Sequence, residues 1–296
     1  MSIFKGSGVA IVTPFKGNEV DFEKLKELVE WQIENSTDAI IVCGTTGEAS
    51  TMSENERKET IKFVIDVVNK RIPVIAGTGT NNTQASIEMS KYAESVGADG
   101  LLVINPYYNK TSSKGLIEHF KAIANSVKTP IVVYNVPSRT GMNITPKALM
   151  ELCKVPNIVA VKEASGNISQ IAEIKALCGD NLDIYSGNDN EILPTLAIGG
   201  LGIISVIANI IPKDVHDICE LFMNGELKKS QELFLKTIPL TSAIFIETNP
   251  IPVKTALNLM GKNVGNLRLP LVDMAEDTLA VLKSELRNYN IELKED

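Results

Sequence analysis

Short apolar runs rich in β-branched residues recur along the chain, at Gly8–Pro14, Ala39–Cys43, Ile72–Ala76, Gly100–Asn105, Pro130–Asn135, Asn157–Lys162, Leu182–Ser186 and Gly202–Ile207. These runs are continuous rather than alternating, which predicts parallel strands covered on both faces. Helical periodicity fills the gaps. Asp21 caps an amphipathic stretch running to Trp31, and Ser53-Glu-Asn-Glu56 reads as a capping box. Thr145-Pro146 places a cap before a proline at the first helical position. Asn167 opens a further helix that Gly179 closes. Eight strands alternating with helices predict an α/β fold, a closed (β/α)8 TIM barrel over residues 1–224. An open doubly wound sheet is the competing arrangement. From Gly225 to Asp296 the pattern is helical only, with amphipathic stretches at Ser230–Phe245, Pro252–Met260 and Asp273–Asn288. This predicts a C-terminal helical appendage, residues 225–296, beside the barrel.

Composition narrows the partners. With 29 Lys+Arg against 36 Asp+Glu, the chain carries a net charge of −7 and lacks the basic footprint of a general nucleic-acid binder. No apolar run reaches the roughly 18 residues of a membrane helix. No basic region precedes an apolar stretch near the N-terminus, so no secretory signal is expected. Cys43, Cys153, Cys178 and Cys219 are far apart and form no C-x-x-C pair, a pattern that suits reduced thiols in the cytoplasm. With only His119 and His216, a histidine-rich metal site is not expected.

In a parallel barrel the reactive groups come from the C-terminal strand ends and the loops that follow. Those ends here are Cys43-Gly-Thr-Thr-Gly-Glu48, Asn105-Pro-Tyr-Tyr-Asn109, Tyr134-Asn-Val-Pro-Ser-Arg-Thr-Gly141, Val161-Lys-Glu-Ala-Ser-Gly166 and Tyr185-Ser-Gly-Asn-Asp189. Lys162 is the most informative residue. Strand alternation puts it on one face with Ile158 and Ala160. Burial would lower its pKa, and a neutral amine is a nucleophile able to form a Schiff base. The plainer reading is a strand-end lysine paired with Glu163 or reaching solvent. Gly44-Thr-Thr-Gly47 reads either as a tight turn or as a cradle of amides and hydroxyls for a carboxylate. Tyr134 is an acid/base candidate at the mouth, or a core tyrosine whose hydroxyl has found a partner. Tyr107 and Tyr108 are consecutive, so a strand-like backbone would point them opposite ways, one to the site and one to a subunit interface. Arg139 offers a bidentate grip for a carboxylate, or an ordinary surface ion pair.

Taken together and in order, Gly44-Thr-Thr-Gly-Glu48, Pro106-Tyr-Tyr-Asn109, Tyr134–Gly141 and Val161–Gly166 resemble the hallmark segments of the dihydrodipicolinate synthase family. That family lies within the Schiff-base aldolases, which also include N-acetylneuraminate lyase. Thr45 and Arg139 favour the synthase side. The resemblance implies condensation of pyruvate with L-aspartate 4-semialdehyde, an entry step to diaminopimelate and lysine. It implies Lys162 as the Schiff-base lysine and Tyr134 as general acid/base. Thr45 would link Tyr134 to Tyr108 in a proton relay, with Tyr108 supplied by a neighbouring subunit. Thr46, the backbone at Ile204, and Gly187 would bind pyruvate, and Arg139 would hold the semialdehyde carboxylate. No metal or organic cofactor is implied, because the imine is the electron sink. A homo-oligomer, a tetramer of two tight dimers, is the implied assembly.

One departure concerns regulation. Members inhibited by lysine hold it at the dimer interface partly through an acidic residue, and Ala85 stands at that position here. Ser50, Asn81, Ala85 and Tyr107 therefore read as a degenerate effector site, with weak or absent lysine feedback expected. Three competing functions remain from the residues alone: a pyruvate lyase acting on a 2-keto-3-deoxy sugar acid, a non-catalytic barrel that binds a keto acid, and a metal-dependent aldolase.

Overall fold

The computed structural model describes residues 2–294. Eight parallel strands form a closed barrel: β1 (Gly6–Ala10), β2 (Ala39–Val42), β3 (Val74–Gly77), β4 (Gly100–Ile104), β5 (Ile131–Asn135), β6 (Ile158–Glu163), β7 (Asp183–Ser186) and β8 (Gly202–Ser205). β1 pairs with both β8 and β2, which closes the sheet and excludes the open alternative. Each strand alternates between two apolar layers. Ile41, Ile75, Leu102, Val132, Ala160 and Ile204 fill the barrel interior. Ile40, Val42, Val74, Val103, Val133 and Val161 pack outward against the helices. Burial on both faces is why the strands read as continuous apolar runs.

The expected caps form. Asp21 accepts from Lys24 N, Thr145 from Ala148 N and Asn167 from Gln170 N. The Ser53–Glu56 capping box is complete, with Glu56 N donating to Ser53 Oγ and Ser53 N to Glu56 Oε2. Two strand expectations are corrected. The run Gly8–Pro14 is not all strand, since β1 ends at Ala10. The Val12 amide donates instead to the Asn209 side chain, and Phe15 N to Val264 O, so the chain leaves the barrel there. The face assigned to Lys162 is also corrected. Ala160 and Lys162 share the inner side, but Ile158 belongs to the outer layer. A register shift breaks the alternation, Ile131 pairing with Ile158 and Val132 with Ala160.

The C-terminal helices span Leu227–Ile244, Ile251–Leu259 and Glu276–Asn288. The last begins later than the pattern predicts, because Ala275 keeps an extended backbone as its cap. Phe15 bridges to Gly265, stitching the segment between these helices to the loop after β1. Among the described residues, no helix is long and apolar enough to cross a membrane.

Candidate active site

Lys162 and Tyr134 are register partners on neighbouring strands, so their side chains emerge side by side into the barrel mouth. The Lys162 Nζ lies 4.4 Å from the Tyr134 ring centroid. Lys162 is only 5% exposed, which disposes of the solvent-reaching alternative. Burial lowers its pKa to about 8; the Asp189 carboxylate opposes the shift and the Arg139 charge adds to it. The Tyr134 phenol is pushed up by burial, with the Arg139 charge and the Thr45 hydroxyl acting against that rise.

Neighbouring strand ends supply the rest. Thr46 is buried in the loop after β2, and its Oγ1 accepts from Asn249 Nδ2 at 3.0 Å. Arg139 sits on a helical turn, Pro137–Thr140, and donates from Nη2 to the Asn249 carbonyl at 2.9 Å. Gly187 follows β7. A Cβ there would lie 2.6 Å from Ala164 Cβ and 3.2 Å from Lys162 Cε, so only glycine leaves the lysine its room. Ile204 is fully buried on β8.

An inner cavity of about 180 Å³ is lined by Lys162, Tyr134, Thr45, Thr46, Gly187, Arg139 and Asn249. That is below the roughly 300 Å³ at which drug-sized pockets begin and suits a metabolite of a few heavy atoms. A second cavity, bounded by Ser50, Arg57, Thr80 and Tyr107, shares Thr45, Tyr134 and Arg139 with the first.

Not every predicted residue converges. Tyr107 lines the second cavity, whereas Tyr108 is 93% exposed and lines neither. The pair does not alternate as a strand would, because Tyr108 takes a left-handed backbone at φ 68°. Within one chain the Thr45–Tyr134 couple therefore has no third hydroxyl from Tyr108. Of the expected effector residues, Ser50 and Tyr107 border the second cavity but Asn81 and Ala85 do not. The Asn81 carbonyl accepts from Asn109 Nδ2, and the Ala85 amide donates to the Asn82 cap.

Four residues at or near the site were given no role in the sequence reading, although Glu48 and Asp189 lay within its strand-end motifs. Asp189 is buried, its carboxylate accepting from Ser205 Oγ at 2.5 Å and from the amides of Val206 and Ile207. Asn249, Glu48 and Lys254 are also buried. A lone lysine in the otherwise uncharged helix Ile251–Leu259 was the one available signal for the last of these.

A parallel barrel with a buried amine of lowered pKa beside a phenol, in a cavity of metabolite size, is equipped for imine chemistry on a small carbonyl compound. The model of the dihydrodipicolinate synthetase family matches residues 3–289. The chain is 64% identical to a 4-hydroxy-tetrahydrodipicolinate synthase of Clostridium novyi, covering 98% of each chain. It is 65% identical to the enzyme of the same name from Clostridium tetani, covering 98% of this chain and 99% of that one. A crystal structure of dihydrodipicolinate synthase from Aquifex aeolicus superposes with a TM-score of 0.97 at 43% identity, covering 99% of this chain and all of that one. The chain belongs to the dihydrodipicolinate synthetase family.

Proposed function

We infer that the chain is a lyase of the aldolase type that condenses pyruvate with L-aspartate 4-semialdehyde to 4-hydroxy-tetrahydrodipicolinate and water, in lysine and diaminopimelate biosynthesis. The observation that carries this reading is the buried Lys162 amine, at a pKa of about 8, facing Tyr134 in a small cavity. High full-length identity to synthases of that name supports the choice of substrates.

In this reading the neutral Lys162 amine attacks the pyruvate ketone carbon and water leaves, giving a protonated imine. The iminium nitrogen draws electrons from the methyl carbon, which loses a proton and becomes an enamine. The enamine carbon bonds to the semialdehyde aldehyde carbon. The amine of the new product displaces Lys162 as the ring closes. Tyr134 moves protons at the imine, and Thr45 connects it to Tyr108 of a neighbouring subunit. Thr46, Gly187 and the backbone at Ile204 hold pyruvate, while Arg139 holds the semialdehyde carboxylate.

The extreme exposure of Tyr108 supports an oligomer in which that residue completes the relay, a tetramer of two tight dimers. Residues 1–224 serve as the catalytic barrel and 225–296 as a helical unit bracing its mouth, with residues 1 and 295–296 of these spans outside the described residues. Four free cysteines fit a reducing, cytoplasmic setting. The test is turnover of pyruvate with aspartate semialdehyde alongside 2-keto-3-deoxy sugar acids. Turnover of the semialdehyde alone is expected; cleavage of a sugar acid with none of the semialdehyde would overturn the assignment.

A further inference from the structure

The loop that carries Thr45 and Thr46 is framed by two non-glycine residues in left-handed backbone, Cys43 at φ 54° and Glu48 at φ 52°. Such conformations are strained for residues with a side chain and persist only where the surroundings over-determine them. The barrel supplies part of that constraint. Thr13 Oγ1 donates to Gly47 O at 2.7 Å, and Glu48 N donates to Thr45 O at 3.0 Å.

The remainder comes from more than 200 residues away in sequence. Lys254 Nζ donates to Glu48 Oε1 at 2.7 Å, and the Arg268 amide donates to Glu48 Oε2 at 3.1 Å. Both partners of the ion pair are essentially unexposed, at 1% and 0%. Lys254 also donates to Asn266 O and lies over the Phe15 ring, on which the Arg268 guanidinium also stacks. Arg268 reaches on to both carboxylate oxygens of Glu56, the capping-box residue of the helix that follows the loop. At the start of the helix that holds Lys254, Asn249 donates to Thr46 Oγ1 and accepts from Arg139. One C-terminal segment thus grips the loop at Thr46 and at Glu48.

We propose that the buried Glu48–Lys254 pair, acting with Asn249, is a positioning couple through which the C-terminal helices hold Thr45 and Thr46 at the Lys162 cavity. The inference rests on the imine reading of that cavity. A buried ion pair is poor evidence for stability as such, since apolar or neutral residues of similar volume often replace one without loss. What the pair does here is fix one loop conformation, and its removal should be read in the chemistry of pyruvate before it is read in unfolding.

The experiment measures the rate of borohydride-trappable pyruvate adduct on the full-length protein, with melting temperature and pH profile recorded in parallel. The double variant Glu48→Gln/Lys254→Met removes both charges together. Adduct formation per folded protein is expected to fall at least about tenfold, through a raised half-saturating pyruvate concentration. Its acid limb should stay where the wild type has it, because Lys162 itself is untouched. Asn249→Ala cuts the other grip without exposing a buried charge, and should raise the same pyruvate requirement even if the double variant does not fold. Combined, the changes should give less than the product of their separate effects, since all act on one loop. A wild type that forms adduct while either soluble variant matches its rate within twofold would overturn the couple. A wild type that forms no adduct would overturn the imine reading and, with it, the couple's role.

Discussion

Lowering the pH tests whether burial makes Lys162 a usable nucleophile. At a pKa of about 8 the amine is about one-tenth neutral at pH 7, whereas at the ordinary value of 10.5 only ~0.03% would be. Burial therefore raises the reactive fraction about 300-fold at pH 7, equivalent to roughly 3 kcal/mol at 1.36 kcal/mol per pKa unit. The assay is the single-turnover rate of imine formation with pyruvate below saturation, from pH 6 to pH 10. The rate should climb about tenfold per unit below the midpoint and level off above about 8–9. A limb centred near 10.5, or a flat profile, would refute the reasoning. The same shift has a cost in stability. A lysine with a depressed folded pKa binds fewer protons folded than unfolded between about 8 and 10.5, so its penalty is fully present below 8 and is relieved as pH rises through that window. Lys162→Met should accordingly lose adduct formation while its melting temperature at pH 7 does not fall.

Arg139→Ala should retain the pyruvate adduct but lower kcat/KM for the semialdehyde by about 10–100-fold, the loss of one charged hydrogen bond worth about 1.5–3 kcal/mol. Removing that like charge should also move the acid limb of imine formation to higher pH, since Arg139 helps depress Lys162. Tyr108→Phe should leave melting within about 1 °C of wild type, because the ring is kept and only the hydroxyl is lost, yet reduce turnover. Mixing it with a Tyr134→Phe variant should restore part of the activity by subunit exchange, and light scattering on each variant should show an oligomer. An inhibition curve with L-lysine should show no half-loss of activity at submillimolar concentrations, because Ala85 offers no carboxylate to the ligand's ammonium.

The barrel was legible because strands buried on both faces must be apolar throughout, and the spacing of eight such runs leaves room for helices between them. The strand ends were legible for a related reason: Lys162, Tyr134 and Thr46 are polar residues where an apolar run stops. Phase was harder to read. The shift opposite Ile158 and Ala160 inverts the inward assignment of Ile158, and nothing in a run of Ile-Val-Ala-Val marks where alternation slips. Long-range polar pairings were not legible. Glu48 and Lys254 each look like ordinary charged residues until the fold brings them to 2.7 Å, and Asn249 looks like a turn residue before a proline. Asp189 lay within a strand end singled out from the sequence, but its role depends on amides of the next strand's loop. Tyr108 was placed at a subunit boundary by resemblance, and its exposure follows from a left-handed turn that the Tyr-Tyr dipeptide does not announce.

The most direct test of the central claim is borohydride reduction of the protein with pyruvate, followed by intact-mass measurement and peptide mapping. A single pyruvate-dependent adduct, mapped to Lys162 and lost in Lys162→Met, is the expected result. Pyruvate that binds without any trapped adduct, or an adduct on another lysine, would contradict imine chemistry at this site.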